Sequence, residues 1–266
     1  MAYLAAVDVS VEFPLYHSDS RSLKKTLLGR ASSRFGQDAR HRPVVQALRG
    51  ISFSLKSGDR LGLIGVNGSG KTTLLRTMSG IYQPWRGHIM IDGRLTSLLD
   101  PAQGMNTDLT GRENIALRGL FHGFSKTQIA RLEADVEDFA DLGQFLELPV
   151  RSYSTGMTVR LAFAMATAVR PEILLMDEWI MAGDARFMEK ARARIEAMVN
   201  AAEILVLASH SPAILAEWCT RLMWLEDGKI RAYGEPIEVL ERYLPPSQFA
   251  DVQGLLEHGP ASSALG

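Results

Sequence analysis

Gly65-Val66-Asn67-Gly68-Ser69-Gly70-Lys71-Thr72-Thr73 is the stretch on which the fold turns. Glycines at this spacing, ahead of a lysine and a hydroxyl, let the backbone curl until successive N–H groups point at one anion. Before it, Arg60-Leu61-Gly62-Leu63-Ile64 reads as a buried strand; after it, Thr72 to Met78 reads as a helix. Strand, loop and helix in that order place phosphate oxygens at a helix N-terminus, where unpaired N–H groups and the positive dipole end favour negative charge. Residues Gly65, Val66, Asn67, Gly68, Ser69 and Gly70 are therefore read as a triphosphate cradle that continues through Thr73. Within it, Lys71 is expected to reach the β- and γ-phosphates and the Thr72 hydroxyl to ligate Mg²⁺.

Composition narrows the setting. A chain of 266 residues with 46% hydrophobic and 22% charged side chains has the material for one large α/β domain with an inserted subdomain. With 29 basic and 30 acidic residues the net charge is -1, which removes any bulk electrostatic case for nucleic-acid binding. A single cysteine, Cys219, cannot form an internal disulfide and fits a reducing compartment. The start Met1-Ala2-Tyr3-Leu4 lacks the layout of a leader, and the longest apolar run, Leu161 to Met165 extended to Val169, is about half of what a bilayer requires. The expectation is a chain that is neither secreted nor membrane-spanning, so any action at a membrane would pass through a partner.

Outward from the loop, residues 3–13 and 47–56 alternate apolar and polar positions, the pattern of half-buried antiparallel strands. Between them lies a basic insertion, about 17–44. There Leu23, Leu27 and Leu28 beside Lys24, Lys25 and Arg30 fit either a short amphipathic helix or a solvated loop. Thr110-Gly111-Arg112-Glu113 and Ser125-Lys126-Thr127-Gln128 are capping boxes, and Ile129, Leu132, Val136, Phe139, Leu142 and Phe145 then recur at helical spacing. A helical insert over about 110–170 follows. Apolar strands at Ile173 to Met176 and Ile204 to Ala208, with a helix over Arg186 to Asn200 between them, have the order of parallel βαβ units. Asp227-Gly228 is a hairpin signal. Pro236 opens a helix that Pro245-Pro246 is expected to end, so a domain over 1–247 is followed by a loose tail, 248–266.

Ile173 to Met176 delivers Asp177 and Glu178 at a strand's C-terminal edge, where α/β sheets place ligands. Adjacent strand residues face opposite sides, so the two carboxylates can divide the work. Asp177 is expected in the Mg²⁺ shell, and Glu178 as the group that polarises an attacking water. Tyr153-Ser154-Thr155-Gly156-Met157, opening a helix, forms a second anion-binding element that one nucleotide in one chain does not need. A homodimer in which Ser154 and Gly156 close over the partner's γ-phosphate accounts for it.

Phosphate loop, helical insert, Ser-x-Gly element, Asp-Glu strand and Ser209-His210-Ser211, in this order over about residues 5–244, resemble the ATP-binding cassette (ABC) ATPases. The resemblance implies an α/β P-loop NTPase of ABC type: a mixed central sheet with flanking helices, an N-terminal antiparallel β subdomain and a helical insert. It implies ATP and Mg²⁺ as ligands, assigns His210 to the γ-phosphate and Asp184 to the loop that communicates between two sites. It calls for an adenine-stacking aromatic, for which Tyr16 is chosen with Phe13 as rival. A glutamine that senses the membrane partner is also called for; Gln103, the only one between Leu99 and Gly104, lies closer to Thr110 than in generic members and fits either that role or a plain loop position. Leu109-Thr110-Gly111-Arg112-Glu113-Asn114, Tyr153 to Met157 and Ala182-Gly183-Asp184-Ala185-Arg186-Phe187 are similar to the variants carried by exporters of O-antigen, capsule and teichoic acid. That implies a homodimeric ATPase at the cytoplasmic face of the inner membrane. It would drive a separate transmembrane permease and touch the membrane only indirectly, with no nucleic-acid partner. An ABC ATPase for another substrate is the first rival, and a soluble, non-transport ABC ATPase the second.

Overall fold

The computed structural model describes residues 1–15, 35–37, 43–100, 102, 104–177 and 185–257. They fall into two compact units: the first holds 1–95, 175–177 and the chain from 203 onward, and the second holds 96–174 and the helix over 185–201.

In the first unit, β1 (Tyr3–Pro14), β2 (Phe35–Gln37), β3 (Pro43–Lys56) and β5 (Arg86–Asp92) form an antiparallel sheet in the order β2-β3-β1-β5. The two half-buried strands expected from alternation are present, but the alternation in β1 is interrupted. Asp8 takes a left-handed φ of 51°, and the β1–β3 register shifts between Ala6 and Val9, so Val7 turns outward and is 40% exposed. β3 also starts earlier than 47, at Pro43. Its first residues pair with β2, so the end of the 17–44 interval is strand rather than helix or loop. The short helix read around Leu23 to Arg30 lies outside the described residues.

A six-stranded sheet runs β10-β9-β4-β8-β7-β6. Its strands are β4 (Arg60–Ile64), β6 (Leu95–Leu98), β7 (Ile173–Asp177), β8 (Ile204–Ala208), β9 (Arg221–Glu226) and β10 (Lys229–Gly234). β4 is parallel to both β8 and β9. All five residues of β8 are buried, as are the last four of β4. That is why these strands read as unbroken apolar runs rather than alternations. β9 and β10 make the expected hairpin, with Asp227 at φ 49° and Gly228 at φ 73°, both positive as a type I′ turn requires.

The helices are α1 (Lys71–Met78), α2 (Gly111–Phe121), α3 (Lys126–Ala140), α4 (Thr155–Thr167), α5 (Ala185–Ala201), α6 (Pro212–Trp218), α7 (Pro236–Tyr243) and α8 (Pro246–Glu257). Both capping boxes form. At α2 the Glu113 N–H donates to Thr110 Oγ1 at 3.1 Å and the Thr110 N–H to Glu113 Oε2 at 2.8 Å, and the latter bond holds the Glu113 carboxyl below its usual range. Such a cap contributes about 1 kcal/mol to its helix. The periodic run after Ser125 is shorter than its spacing implies. Asp141 turns left-handed at φ 51° and ends α3, so Phe145 sits in a 3₁₀ turn and is 52% exposed. The second unit is held instead by Phe139, Phe163 and Phe187, whose ring centroids lie 5.4 to 5.7 Å apart. Each such pair contributes about 0.5–1.5 kcal/mol beyond the area it buries.

At the C-terminus the structure corrects the expected loose tail, because α8 occupies Pro246–Glu257 and buries Val252. Pro246 stops no helix here; it opens one, at a position where a missing N–H has no helical partner to lose. Tyr243 at the end of α7 meets Trp224 of β9 edge-on, with centroids 5.4 Å apart.

Candidate nucleotide-binding site

The loop after β4 is shaped by its glycines. Gly65, at φ 151°, passes so close to β9 that a Cβ would lie 2.3 Å from the Leu225 carbonyl oxygen, and Gly70, at φ 117°, would bring one to 3.0 Å from the Ala47 carbonyl. Gly70 caps α1 without any side-chain hydrogen bond, so the first N–H groups of that helix face the loop. The Ser69 N–H donates to Val66 O at 3.0 Å, and the Gly228 N–H donates to Ser69 O at the same distance. The hairpin turn thus braces the loop. It is itself held by the Arg49 guanidinium, whose Nη2 donates to the Asp227 carbonyl at 2.6 Å. This support is non-local, and the local sequence carries no sign of it.

Lys71 is 7% exposed, and its ammonium donates to the Gly65 carbonyl at 2.6 Å and the Val66 carbonyl at 3.4 Å. The cation is thereby kept over the loop rather than in bulk water. A buried ammonium in that state favours an anion. Ser69 Oγ, in a side chain 1% exposed, has no hydrogen-bond partner among the described residues.

These groups open on a cleft of about 370 Å³ lined by Asn67, Gly68, Ser69, Gly70, Lys71, Thr72 and Thr73, with Val45 and Ala47 of β3, Asp177 at the end of β7 and His210 just after β8. Asp177 and His210 come from strands far apart in sequence, and both arrive at the C-terminal edge of the sheet beside the loop. Thr72 is exposed and Asp177 half-buried, so a hydroxyl and a carboxylate are available together at the mouth of α1. Among the described residues no group of three or more His, Cys, Asp or Glu could hold a metal by itself. A hydroxyl and a carboxylate lining one cleft are hard oxygen donors, which would suit Mg²⁺ shared with phosphate oxygens.

Of the residues expected from sequence, Asn67 to Thr73, Asp177 and His210 are brought together. Gly65 lies beneath Ser69, and Val66 projects outward, 64% exposed. Ser154 and Gly156 open α4 in the second unit. The Met157 N–H donates to Ser154 Oγ at 3.3 Å, and a Cβ on Gly156 would meet nothing within 4 Å. Tyr16, Gln103, Glu178 and Asp184 lie outside the described residues. Phe13 does not line the cleft; its ring packs edge-on against Tyr82, centroids 5.1 Å apart. Val45 and Ala47 were missed by the sequence reading. They stand two apart on β3 and so share one face of it, a period-2 signal that marks a face but not what the face meets.

A glycine-built anion cradle at the start of a helix, with a carboxylate and a histidine at the same sheet edge, defines a P-loop nucleoside triphosphatase. The family model described as ABC transporter matches residues 48–181, and the chain belongs to that family as one of its ATPases. It is 42% identical to the O-antigen export system ATP-binding protein RfbE of Yersinia enterocolitica over 241 residues, 90% of this chain and 100% of that one. It is 37% identical to the O-antigen export system ATP-binding protein RfbB of Myxococcus xanthus over 85% of this chain, spanning only 52% of that relative's length. The teichoic acids export ATP-binding protein TagH of Listeria innocua is also 37% identical, over 90% of this chain and 69% of its own. Among solved structures, a dimeric ATP-binding cassette in a post-hydrolysis state bound to ADP and Pi shares the fold at a TM-score of 0.63. Its identity is 19%, over 88% of this chain and 98% of that one.

Proposed function

We propose that two copies of this chain sandwich two Mg·ATP at their shared boundary and drive a separate membrane-spanning permease that exports lipid-linked polysaccharide. The observation that carries the reading is the cleft that unites the phosphate loop with Asp177 and His210. The polysaccharide assignment is supported by relatives at 37–42% identity that are O-antigen and teichoic acid export proteins. Among the described residues no helix is long and apolar enough to cross a membrane; the placement as a peripheral subunit at the cytoplasmic face of the inner membrane is supported by the export-system relatives. The net charge of -1 gives no support to a nucleic-acid partner.

In this reading the N–H groups of Gly68 to Thr72 receive the phosphates, and Lys71 exchanges its contacts with Gly65 and Val66 for phosphate oxygens. Thr72 and Asp177 would hold Mg²⁺, with Gln103 as a further donor. The bound ion supplies neutralisation of the charge on the β- and γ-phosphate oxygens. Glu178 would polarise the attacking water and His210 contact the γ-phosphate. Val45 and Ala47 offer the base an apolar face of β3, with Tyr16 as its stacking partner. Asp184 would carry the state of one site to the other, and the 99–115 region would pass the motion to the permease.

Support for the dimer comes from Gly156. Among the described residues none lies within 4 Å of where a Cβ on Gly156 would stand, so no contact among them requires a glycine in the first turn of α4, where glycine is a poorer helix former than alanine. Close approach of a ligand held by a second copy supplies the missing reason. In cells lacking this chain, lipid-linked polysaccharide should accumulate inside while its synthesis continues. Surface polysaccharide at the parental level would refute the substrate, and a transport defect in some other solute would transfer the same ATPase to that cargo.

A further inference from the structure

Asn114, in the second turn of α2, has a buried side chain, 3% exposed, that no nucleotide contact explains. Its amide is engaged at both ends. Oδ1 accepts from the Asn106 N–H at 2.8 Å, while Nδ2 donates to the carbonyls of Thr110 at 2.8 Å, Asn106 at 2.9 Å and Leu109 at 3.4 Å. One side chain thus clamps residues 106–110 onto the start of α2. A buried amide with this many backbone partners fixes a loop in one arrangement, and removing it leaves the Asn106 N–H without its acceptor and takes a donor from three carbonyls at once.

The clamped segment is paired with the chain that leads into Ser154. The Val150 N–H donates to Leu109 O at 2.9 Å and the Arg151 N–H to Thr107 O at 2.8 Å, and Thr110 and Pro149 form an isolated antiparallel bridge. Two residues on, the Tyr153 hydroxyl donates to Phe145 O at 2.6 Å, and a Cβ on Gly111 would come within 2.5 Å of that hydroxyl. Glycine at the first position of α2 therefore admits the ring of Tyr153, whose next neighbour is the cap of α4. Arg151 also pairs with Asp108 at 2.9 Å, but with side chains 67% and 74% exposed that ion pair is too well solvated to be the lock.

We propose that Asn114 is a positioning residue for ATP hydrolysis: it welds 106–110 to 149–153, so that Ser154 and Gly156 move with the 106–110 segment as one body. This rests on the reading that Ser154 and Gly156 close over the partner's nucleotide. The two arrangements of the welded body, engaged and withdrawn, are then biased both by nucleotide and by whatever holds the 106–110 segment, as coupling between two sites requires.

Asn114→Asp in the full chain tests this, because the side chain keeps its size while all three hydrogen bonds donated by Nδ2 are lost. ATP affinity of the isolated chain should stay within about twofold, since the phosphate loop is untouched. At the same time kcat should fall about tenfold or more, as expected when a transition-state contact is misplaced by a fraction of an ångström. Amide exchange protection at Val150 and Arg151 should fall with it. Retained protection, or lost protection with kcat within twofold of the parent, would overturn the proposal. If Asn114→Asp does not fold, Tyr153→Phe removes only the hydroxyl from the same body and is expected to lower kcat at unchanged ATP affinity; an unchanged kcat there overturns it too. A parent chain that stays monomeric with ATP indicts the sandwich instead, and the exchange measurement still decides the weld.

Discussion

Replacing Glu178 by Gln lowers kcat for ATP hydrolysis by about 10²- to 10⁴-fold and leaves ATP affinity nearly unchanged, the range expected when a positioned general base is removed. β7 ends on Asp177, which the structure places in the cleft beside Thr72 and Lys71, and Glu178 is the next residue. The change at Glu178 leaves Asp177, the carboxylate assigned to the metal, in place. Gln keeps the shape and loses the charge. Steady-state kinetics and an equilibrium ATP titration on the same preparation check it. A kcat within tenfold of the parent would remove Glu178 from the role assigned to it.

Gly65→Ala removes nucleotide binding and destabilises the first unit. The added methyl would sit 2.3 Å from the Leu225 carbonyl and 2.7 Å from Ser69 Oγ, and the φ of 151° is one that L residues rarely adopt. Neither β9 nor the loop can yield locally, because β9 is registered against β4 and the Gly228 N–H holds Ser69. Overpacking of this kind costs about 1–3 kcal/mol, before the backbone strain is counted. Thermal unfolding should therefore shift down by several degrees, and an ATP titration should show no saturation at millimolar nucleotide. Gly156→Ala is the contrast, since its methyl meets nothing within 4 Å and the lone chain should unfold as the parent does. Parental melting and ATP affinity in Gly65→Ala would show that the loop has slack where the structure shows none.

The parts of this molecule that the sequence made legible are those whose physics is local. The phosphate loop is nine consecutive residues, each capping box is four, and β4, β7 and β8 are apolar because they are buried on both faces. Asp177 could be placed because it ends such a strand, whereas His210, two residues past β8, was assigned by the family resemblance. What escaped depends on distant partners. Val45 and Ala47 look like any alternating strand until β3 is brought beside the loop, and the Asp227-Gly228 turn gives no hint that its amide braces Ser69. Asn114 was visible only as part of a motif, because its four backbone bonds reach residues that the helix pattern does not connect. Asp141 ended α3 early although the apolar spacing continued, since a left-handed residue overrides a periodicity that extends to Phe145. Pro245-Pro246 misled for a related reason. Proline forbids a helix interior and welcomes its first turn, so the pair both closes α7 and opens α8.

The proposed sandwich requires that one chain hold half of each site. The solution mass of the Glu178→Gln protein, measured with and without millimolar Mg·ATP, tests it most directly, because stalled hydrolysis keeps the closed form populated. The result predicted is a change from 29.3 kDa to twice that value on adding ATP, abolished when Gly156→Asp is introduced into the same chain, where the new Cβ meets none of the described residues of its own chain and the carboxylate would face a second copy's nucleotide. A mass of 29.3 kDa that persists with bound ATP, or a dimer that tolerates Gly156→Asp, would contradict the account.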